Sequence, residues 1–258
     1  MKIITWNLAN YDDHSHWEIR RKLIVKEIAR HQPDVLALQE IRYNSEHPST
    51  QYSHLNMAEQ ILMDLQNTGL YQNARIINQP AMYYRFPIWW EGVSIISVLP
   101  ITETGGLFHA LLPDSPDPNK RITQYTLLQK QNANFFIFNT HFSYEESCLA
   151  TNVNEAIEYL NRFASCPCLL VGDLNAEPQN KNMQKLALAG YTDVWKMQHP
   201  DENGFTHKPI DPSMRIDYCW VNNLMKDRIK SIEIIGKEPD ENGLYPSDHL
   251  GLLLDCNL

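Results

Sequence analysis

Apolar residues in this chain gather in short runs that alternate with stretches of helical spacing. Lys2–Trp6 reads as a strand, because Ile3, Ile4 and Trp6 fall in a run too short for a helix. Ser15 with Glu18 three residues later predicts a capping box, and behind it Ile19, Leu23, Ile24 and Ile28 recur along an inward helical face as far as Pro33. Val35–Leu38 is again a strand, closed by Gln39 and Glu40. Leu55, Ala58, Ile61, Leu62 and Leu65 form a second helical stripe that ends at Gly69.

Further strands are expected at Val93–Leu99, Arg121–Gln129 and Phe135–Asn139, where β-branched and aromatic residues dominate. Leu149, Val153, Ala156, Ile157 and Leu160 return to helical spacing. The strand Cys168–Val171 and a short helix around Met183–Leu188 follow, then strands at Ile216–Val221, Ile229–Ile235 and Leu250–Leu254. Leu112–Lys120, with its three prolines, and Asp201–Ser213 read as long surface loops, which in compact domains are often functional. With no repeat, low-complexity tract or linker, the chain reads as one α/β domain over residues 1–258.

Composition narrows this picture only slightly. A chain of 258 residues, 43% hydrophobic and 21% charged, is long and apolar enough to bury a full core. The net charge of -9 disfavours a sequence-blind coat on nucleic acid. It leaves room for a basic groove around a metal, since a bound cation reverses the local sign. Cysteines at 148, 166, 168, 219 and 256 are odd in number and lack a paired CxxC framework, which argues against a disulfide scaffold. Cys166-Pro-Cys168 reads instead as thiols leading into a strand. The N-terminal segment lacks the apolar core of a signal peptide, and no run approaches the ~20 apolar residues of a membrane span. The expectation is a cytoplasmic, monomeric protein with no stable membrane insertion.

The chemistry sits at the ends of the strands. Asn7 follows Ile3–Trp6, Glu40 follows Val35–Gln39, and His141 follows Phe135–Asn139. Asp173 and Asn175 follow Leu169–Val171, Asp217 lies within Arg215–Tyr218, and Asp248-His249 precedes Leu250–Leu254. Singly, each has an ordinary explanation as a cap, an Asx-turn or a rim residue. Asp217 is harder to explain so, because a carboxylate flanked by Ile216 and Tyr218 needs a partner. Strand ends gather at one edge of a parallel or mixed sheet, so the set can converge on one cleft. Glu40, Asp173 and Asp248, with Asn7 and Asn175, offer hard oxygen donors that suit Mg²⁺ or Mn²⁺ better than zinc. The histidines add what carboxylates lack: donors to a phosphate, or a proton acceptor near neutral pH.

In this order, Thr5-Trp6-Asn7, Leu38-Gln39-Glu40, Asn139-Thr140-His141, Gly172-Asp173-Leu174-Asn175, Arg215-Ile216-Asp217-Tyr218 and Ser247-Asp248-His249 resemble the endonuclease/exonuclease/phosphatase superfamily. That group spans deoxyribonuclease-, apurinic endonuclease- and sphingomyelinase-like metal-dependent phosphoesterases. The resemblance covers residues 3 to about 254. It implies a four-layer α/β/β/α sandwich of two packed mixed β-sheets flanked by helices. It further implies that Glu40 is the principal metal ligand, with Asn7 and Asp248 beside it. Asp173 then orients or deprotonates the attacking water, Asn175 steadies the phosphate or nucleophile, and His141 donates to a phosphate oxygen. Asp217 and His249 form a coupled pair. Whether His249 or Asp173 is the base stays open.

The substrate is less constrained. Arg20, Arg21, Lys22, Lys26 and Arg30 read as a solvated helix face, interrupted by Glu18 and Glu27. Tyr83–Trp90 is either a base-stacking platform, a lipid-interface anchor or ordinary rim packing. Trp89, Trp90 and Arg215 are the candidate substrate contacts. Asn10–His16 reads as a loop capping the first helix, and Thr206-His207 as a substrate-side loop. The partner is accordingly a phosphoester, in nucleic acid or in a phospholipid or other small head group. A non-catalytic domain on the same fold is the remaining alternative.

Overall fold

The structure, a computed structural model, describes residues 1–47, 54–85, 87–131 and 133–257. In chain order its elements are β1 (Lys2–Asn7), α1 (Trp17–His31), β2 (Val35–Asn44), α2 (Met57–Asn67), β3 (Arg75–Tyr84), β4 (Trp89–Ser97), β5 (Ile101–Phe108), β6 (Ile122–Lys130) and β7 (Ala133–His141). After these come α3 (Glu146–Asn161), β8 (Cys168–Asp173), α4 (Lys181–Leu188), β9 (Thr192–Asp193), α5 (Val194–Gln198), β10 (Asp217–Val221), α6 (Asn223–Lys226), β11 (Ile229–Ile235) and β12 (Gly251–Cys256). The strands form two six-stranded mixed sheets, ordered β11-β12-β1-β2-β4-β3 and β5-β6-β7-β8-β10-β9.

Three apolar layers hold the sandwich together. Between the sheets, Ile3, Val35, Ala37 and Ile95 of the first meet Phe135, Ile137, Leu169 and Val171 of the second. Alternation decides which residues take part: Ile4, Leu36 and Leu38 point to the opposite face, where Ile24 and Ile28 of α1 and Ile61 and Leu65 of α2 cover them. Phe136, Phe138 and Leu170 do the same for the second sheet, beneath Leu149 and Val153 of α3 and Leu186 of α4. This is the expected α/β/β/α arrangement. No helix among the described residues is long and apolar enough to cross a membrane.

Several local expectations need correction. The capping box at Ser15 does not form; His16 is the N-cap of α1, in left-handed conformation and without a side-chain cap bond. Glu18 pairs with Arg21 instead. The inward face of α1 turns accordingly, leaving Ile19 41% exposed and burying Arg20 and Arg21. Arg20 and Arg21 are therefore structural, while Lys22, Lys26 and Arg30 remain on the solvated face. Arg20 uses all of its guanidinium, donating to the carbonyls of Ser15, Leu8, Pro246, Ala9 and His14. It thereby ties the β1–α1 loop to the segment before β12. Strands β3 and β5 escape the sequence pattern because they are edge strands of half-exposed residues, with little apolar signal.

The thiols behave as core residues. Burial pushes Cys168 and Cys256 up to about 12, and raises Cys219 as well. Cys166 is only half-buried. Alkylation of the native protein at pH 8, followed by peptide mass spectrometry, is expected to mark Cys166 first and to leave Cys219 untouched until unfolding. Equal labelling of the two would contradict the packing described here.

Candidate active site

The cleft forms where strands of both sheets end together. β1 pairs in parallel with β2, and β7 with β8, so Asn7, the Gln39–Glu40 corner, His141 and Asp173 all emerge at one edge. β10 runs antiparallel to β8 and starts at that edge, with Asp217 opposite Asp173. The chain entering β12 adds Asp248 and His249. Glu40, His141, Asp173, Asn175, Asp248 and His249 help to line a cavity of about 380 Å³.

Backbone irregularities aim the side chains. The β2–β4 register slips between Leu38 and Ile41, and Glu40 within that bulge has φ 55°. A bulge re-aims the residue it carries, here turning Glu40 into the cleft. At the end of β8, Gly172 has φ 135°, and a Cβ there would lie 1.9 Å from the Thr140 carbonyl oxygen. Only glycine lets β8 run so close to β7 at that angle. Beyond Asp173, the last residue of β8, the chain does not continue as a strand. Asn175 has φ 50°, and its N–H donates to Asp173 Oδ1 at 2.8 Å, so a tight turn brings both into the cleft. The Asn175 amide in turn donates to the Phe142 carbonyl at 2.9 Å.

Amides hold the carboxylates in place. Asn7, fully buried, donates from Nδ2 to Glu40 Oε1 at 3.1 Å and to Asp173 Oδ2 at 3.0 Å. Its own oxygen accepts from the Ala9 N–H, so Asn7 orients the two acids. Glu40 Oε2 accepts from the Asn10 N–H at 3.0 Å and from its side chain at 3.2 Å. Asn10 is thus a site residue that the sequence reading took only as part of a helix-capping loop. Its signal was position alone, three residues after Asn7 on the same loop. Behind the cleft, Asn139 accepts from Gln39 at 2.7 Å and donates to the carbonyls of Leu38 and Ser94, joining the two sheets.

The histidines sit among these acids. His249 Nδ1 lies 2.9 Å from Asp217 Oδ2, which leaves Nε2 toward Asp173 Oδ2 at 3.7 Å and Asp248 Oδ1 at 4.0 Å. His141 Nε2 lies 3.5 Å from the same Asp173 oxygen. His207 packs against the His249 ring with centroids 4.9 Å apart. Ligating atoms of Asp173, Asp217 and His249, and separately of His207, Asp248 and His249, lie within 4.8 Å of one another. Burial alone would raise the Glu40 pKa, yet His141 and the N–H groups of Asn10 and Asn7 hold it down at about 2. Burial also opposes charge on His249, but Asp217 and Asp173 outweigh it and lift the imidazole to about 10. Burial and the charge of Arg121 push His141 the other way, and burial raises Asp173 against the pull of the histidines.

None of the three expected substrate contacts lines this cavity. Arg215 is buried in a forked pair with Asp193, at 3.0 and 2.7 Å, with its guanidinium over the Tyr218 ring. Trp90 is 7% exposed and stacks on Tyr43 in the outer core. Trp89 donates to Asp12 at 3.1 Å and lies beneath the Arg42 guanidinium. Arg215 and Trp90 have tertiary partners that the local sequence does not reveal, and Trp89 pairs with the exposed Asp12. Tyr83 and Tyr84 of that stretch are exposed, and Phe86 lies outside the described residues.

A profile described as the Endonuclease/Exonuclease/phosphatase family matches residues 4–249. Nocturnin of Drosophila melanogaster is 23% identical over 316 residues, covering all of this chain and 47% of that protein, so the chain spans about half of the relative's length. Among solved structures, an endonuclease/exonuclease/phosphatase family protein from Leptotrichia buccalis superposes with a TM-score of 0.79 at 20% identity, over 100% of both chains. The human Nocturnin catalytic domain with bound sulfate anion gives 0.73 at 18% identity, over 100% of this chain and 94% of that one. At these identities the structural likeness speaks for the fold.

Proposed function

The chain belongs to the Endonuclease/Exonuclease/phosphatase family, and from that membership and its cleft we propose that it is a Mg²⁺- or Mn²⁺-dependent phosphodiesterase. Water would attack phosphorus in line with the leaving group. The observation that carries the reading is the convergence of Asn7, Glu40, Asp173, Asn175, Asp217 and His249 at one edge of both sheets.

The donor chemistry fits a hard divalent cation. Glu40 is an ionised oxygen donor fixed by two amides, and Asp173 and Asp248 share its cavity. Glu40 and Asp248, with Asn7 beside them, would hold the ion, which when bound would offset phosphate charge and polarise the P–O bond. The chain's own groups divide the remaining work. Asp173, gripped by Asn7 and the Asn175 N–H, would orient water and take its proton. His249, turned by Asp217, would present Nε2 to the phosphate, with His141 beside the same Asp173 oxygen. Asn175 steadies the same group.

Among the described residues lining the cleft, Arg121 is the only lysine or arginine. With a net charge of -9 this favours a compact phosphodiester or a few nucleotides over a long polyanion. Exposed Tyr83 and Tyr84 on β3 favour, as a second reading, a head group presented at a lipid surface. The test is hydrolysis of a bis-aryl phosphate, single- and double-stranded DNA, RNA, sphingomyelin and an inositol phosphate, with Mg²⁺ or Mn²⁺ and Asp173→Ala as blank. Turnover is expected to stop on chelation and return with metal. Activity undiminished by chelator, or equal in the blank, would break the mechanism. A protein inert toward every substrate would be a binding domain.

A further inference from the structure

The cleft wall holds a buried arginine that uses little of its hydrogen-bonding capacity. Arg121 is 7% exposed, stands immediately before β6, and lines the cavity with His141 and Glu91. A guanidinium carries five N–H donors in a rigid fork. Arg20, equally buried, gives all five to carbonyl oxygens. Among the described residues, Arg121 has one acceptor: Asp117 Oδ2, 3.0 Å from Nη2. Its Nε is shut off from solvent without a partner.

That one acceptor is itself rigidly held. The Asp117 side chain is fully buried, and it accepts from Ser143 Oγ at 2.6 Å and from the Asn119 N–H at 3.0 Å. Ser143 lies two residues beyond His141, so Asp117 ties the guanidinium to the strand end that carries this histidine. The 112–120 loop, singled out in the sequence for its length and prolines, thus has an anchored carboxylate at its centre. The arrangement is that of a positioned fork with donors left over, beside the proposed phosphate site. Guanidinium and phosphate match in planar, two-point geometry.

We propose that Arg121 binds a non-bridging oxygen of the substrate phosphate, with Asp117 and Ser143 as its positioning residues. The inference rests on the phosphodiesterase reading for its substrate class. It separates from that reading in the test, because inorganic phosphate probes the site without turnover. Arg121→Gln keeps a donor for Asp117 while removing the charge and the fork. It is expected to lower kcat/KM on bis(p-nitrophenyl) phosphate by about 10²-fold. By calorimetry it should weaken inorganic phosphate binding by roughly tenfold or more. Added guanidinium should restore part of the activity of Arg121→Ala and leave wild type unchanged. Arg121→Lys should stay impaired, since a point charge cannot reproduce the fork. Ser143→Ala, which leaves the guanidinium present but less fixed, should show a smaller loss. Wild-type phosphate affinity in Arg121→Gln would overturn the proposal, as would an activity loss that guanidinium fails to rescue. An inert wild type that still binds phosphate through Arg121 would sink the phosphodiesterase reading and leave this one standing.

Discussion

Asp217→Asn is expected to lower turnover at pH 8 by about 10³-fold while leaving the fold intact, between the ~10²–10³ lost with an oxyanion donor and the ~10⁴ lost with a triad aspartate. The substitution keeps the shape of the side chain that meets His249 Nδ1 at 2.9 Å. What it removes is charge. Burial works against a charged His249, and Asp217 is the largest influence that lifts it to about 10. Without that carboxylate the buried ring falls toward its neutral form at pH 8, and Nε2 ceases to donate. The sign follows directly: protonation returns as pH falls, so the variant should recover part of its activity toward pH 6 while wild type does not gain. Steady-state rates over this range, with thermal melts as control, decide it. A loss below tenfold at pH 8, or a flat profile in the variant, would remove Asp217 from the machinery.

The second large effect is structural. Gly172→Ala should destabilise the protein by about 4 kcal/mol or more, combining a strained backbone with overpacking. The added methyl would meet the Thr140 carbonyl at 1.9 Å, and φ 135° is closed to L-residues. Neither obstacle is the end of a flexible side chain, so relief requires β8 to move away from β7. Because folded domains are stable by only ~5–15 kcal/mol, such a loss approaches the whole margin. Chemical denaturation would measure it. A variant within 1 kcal/mol of wild type would mean that the strands can separate without cost.

The fold was legible where burial and alternation agreed. Val35–Leu38, Phe135–Asn139 and Cys168–Val171 read as strands because their side chains are buried in the sheets. Edge strands β3 and β5 were not, since half-exposed positions need no apolar pattern. The site was legible for a different reason. Polar residues at the ends of buried strands conflict with their surroundings unless something at that edge uses them, and Asn7, Glu40, Asp173, Asp217 and His249 all meet in one place. Tertiary partners were what the sequence withheld. Nothing near Arg215 announces Asp193, nothing near Trp90 announces Tyr43, and Arg20 finds its acceptors partly across the fold at Pro246. Asn175 does reach the cleft, through a left-handed turn that its position after the strand does not announce.

Asn7 grips Glu40 in its own sheet and Asp173 in the other. The distance across the cleft is therefore a readout of how far apart the two sheets rest. The layer that sets this spacing, Val35 and Ala37 against Ile137 and Leu169, touches no substrate. Trimming or enlarging a side chain there changes the gap that the amide must bridge, and the attacking geometry with it. Side chains of that layer would then set the rate from the interior. The residues that look most purely architectural are then the ones through which selection can retune rate without altering the catalytic set.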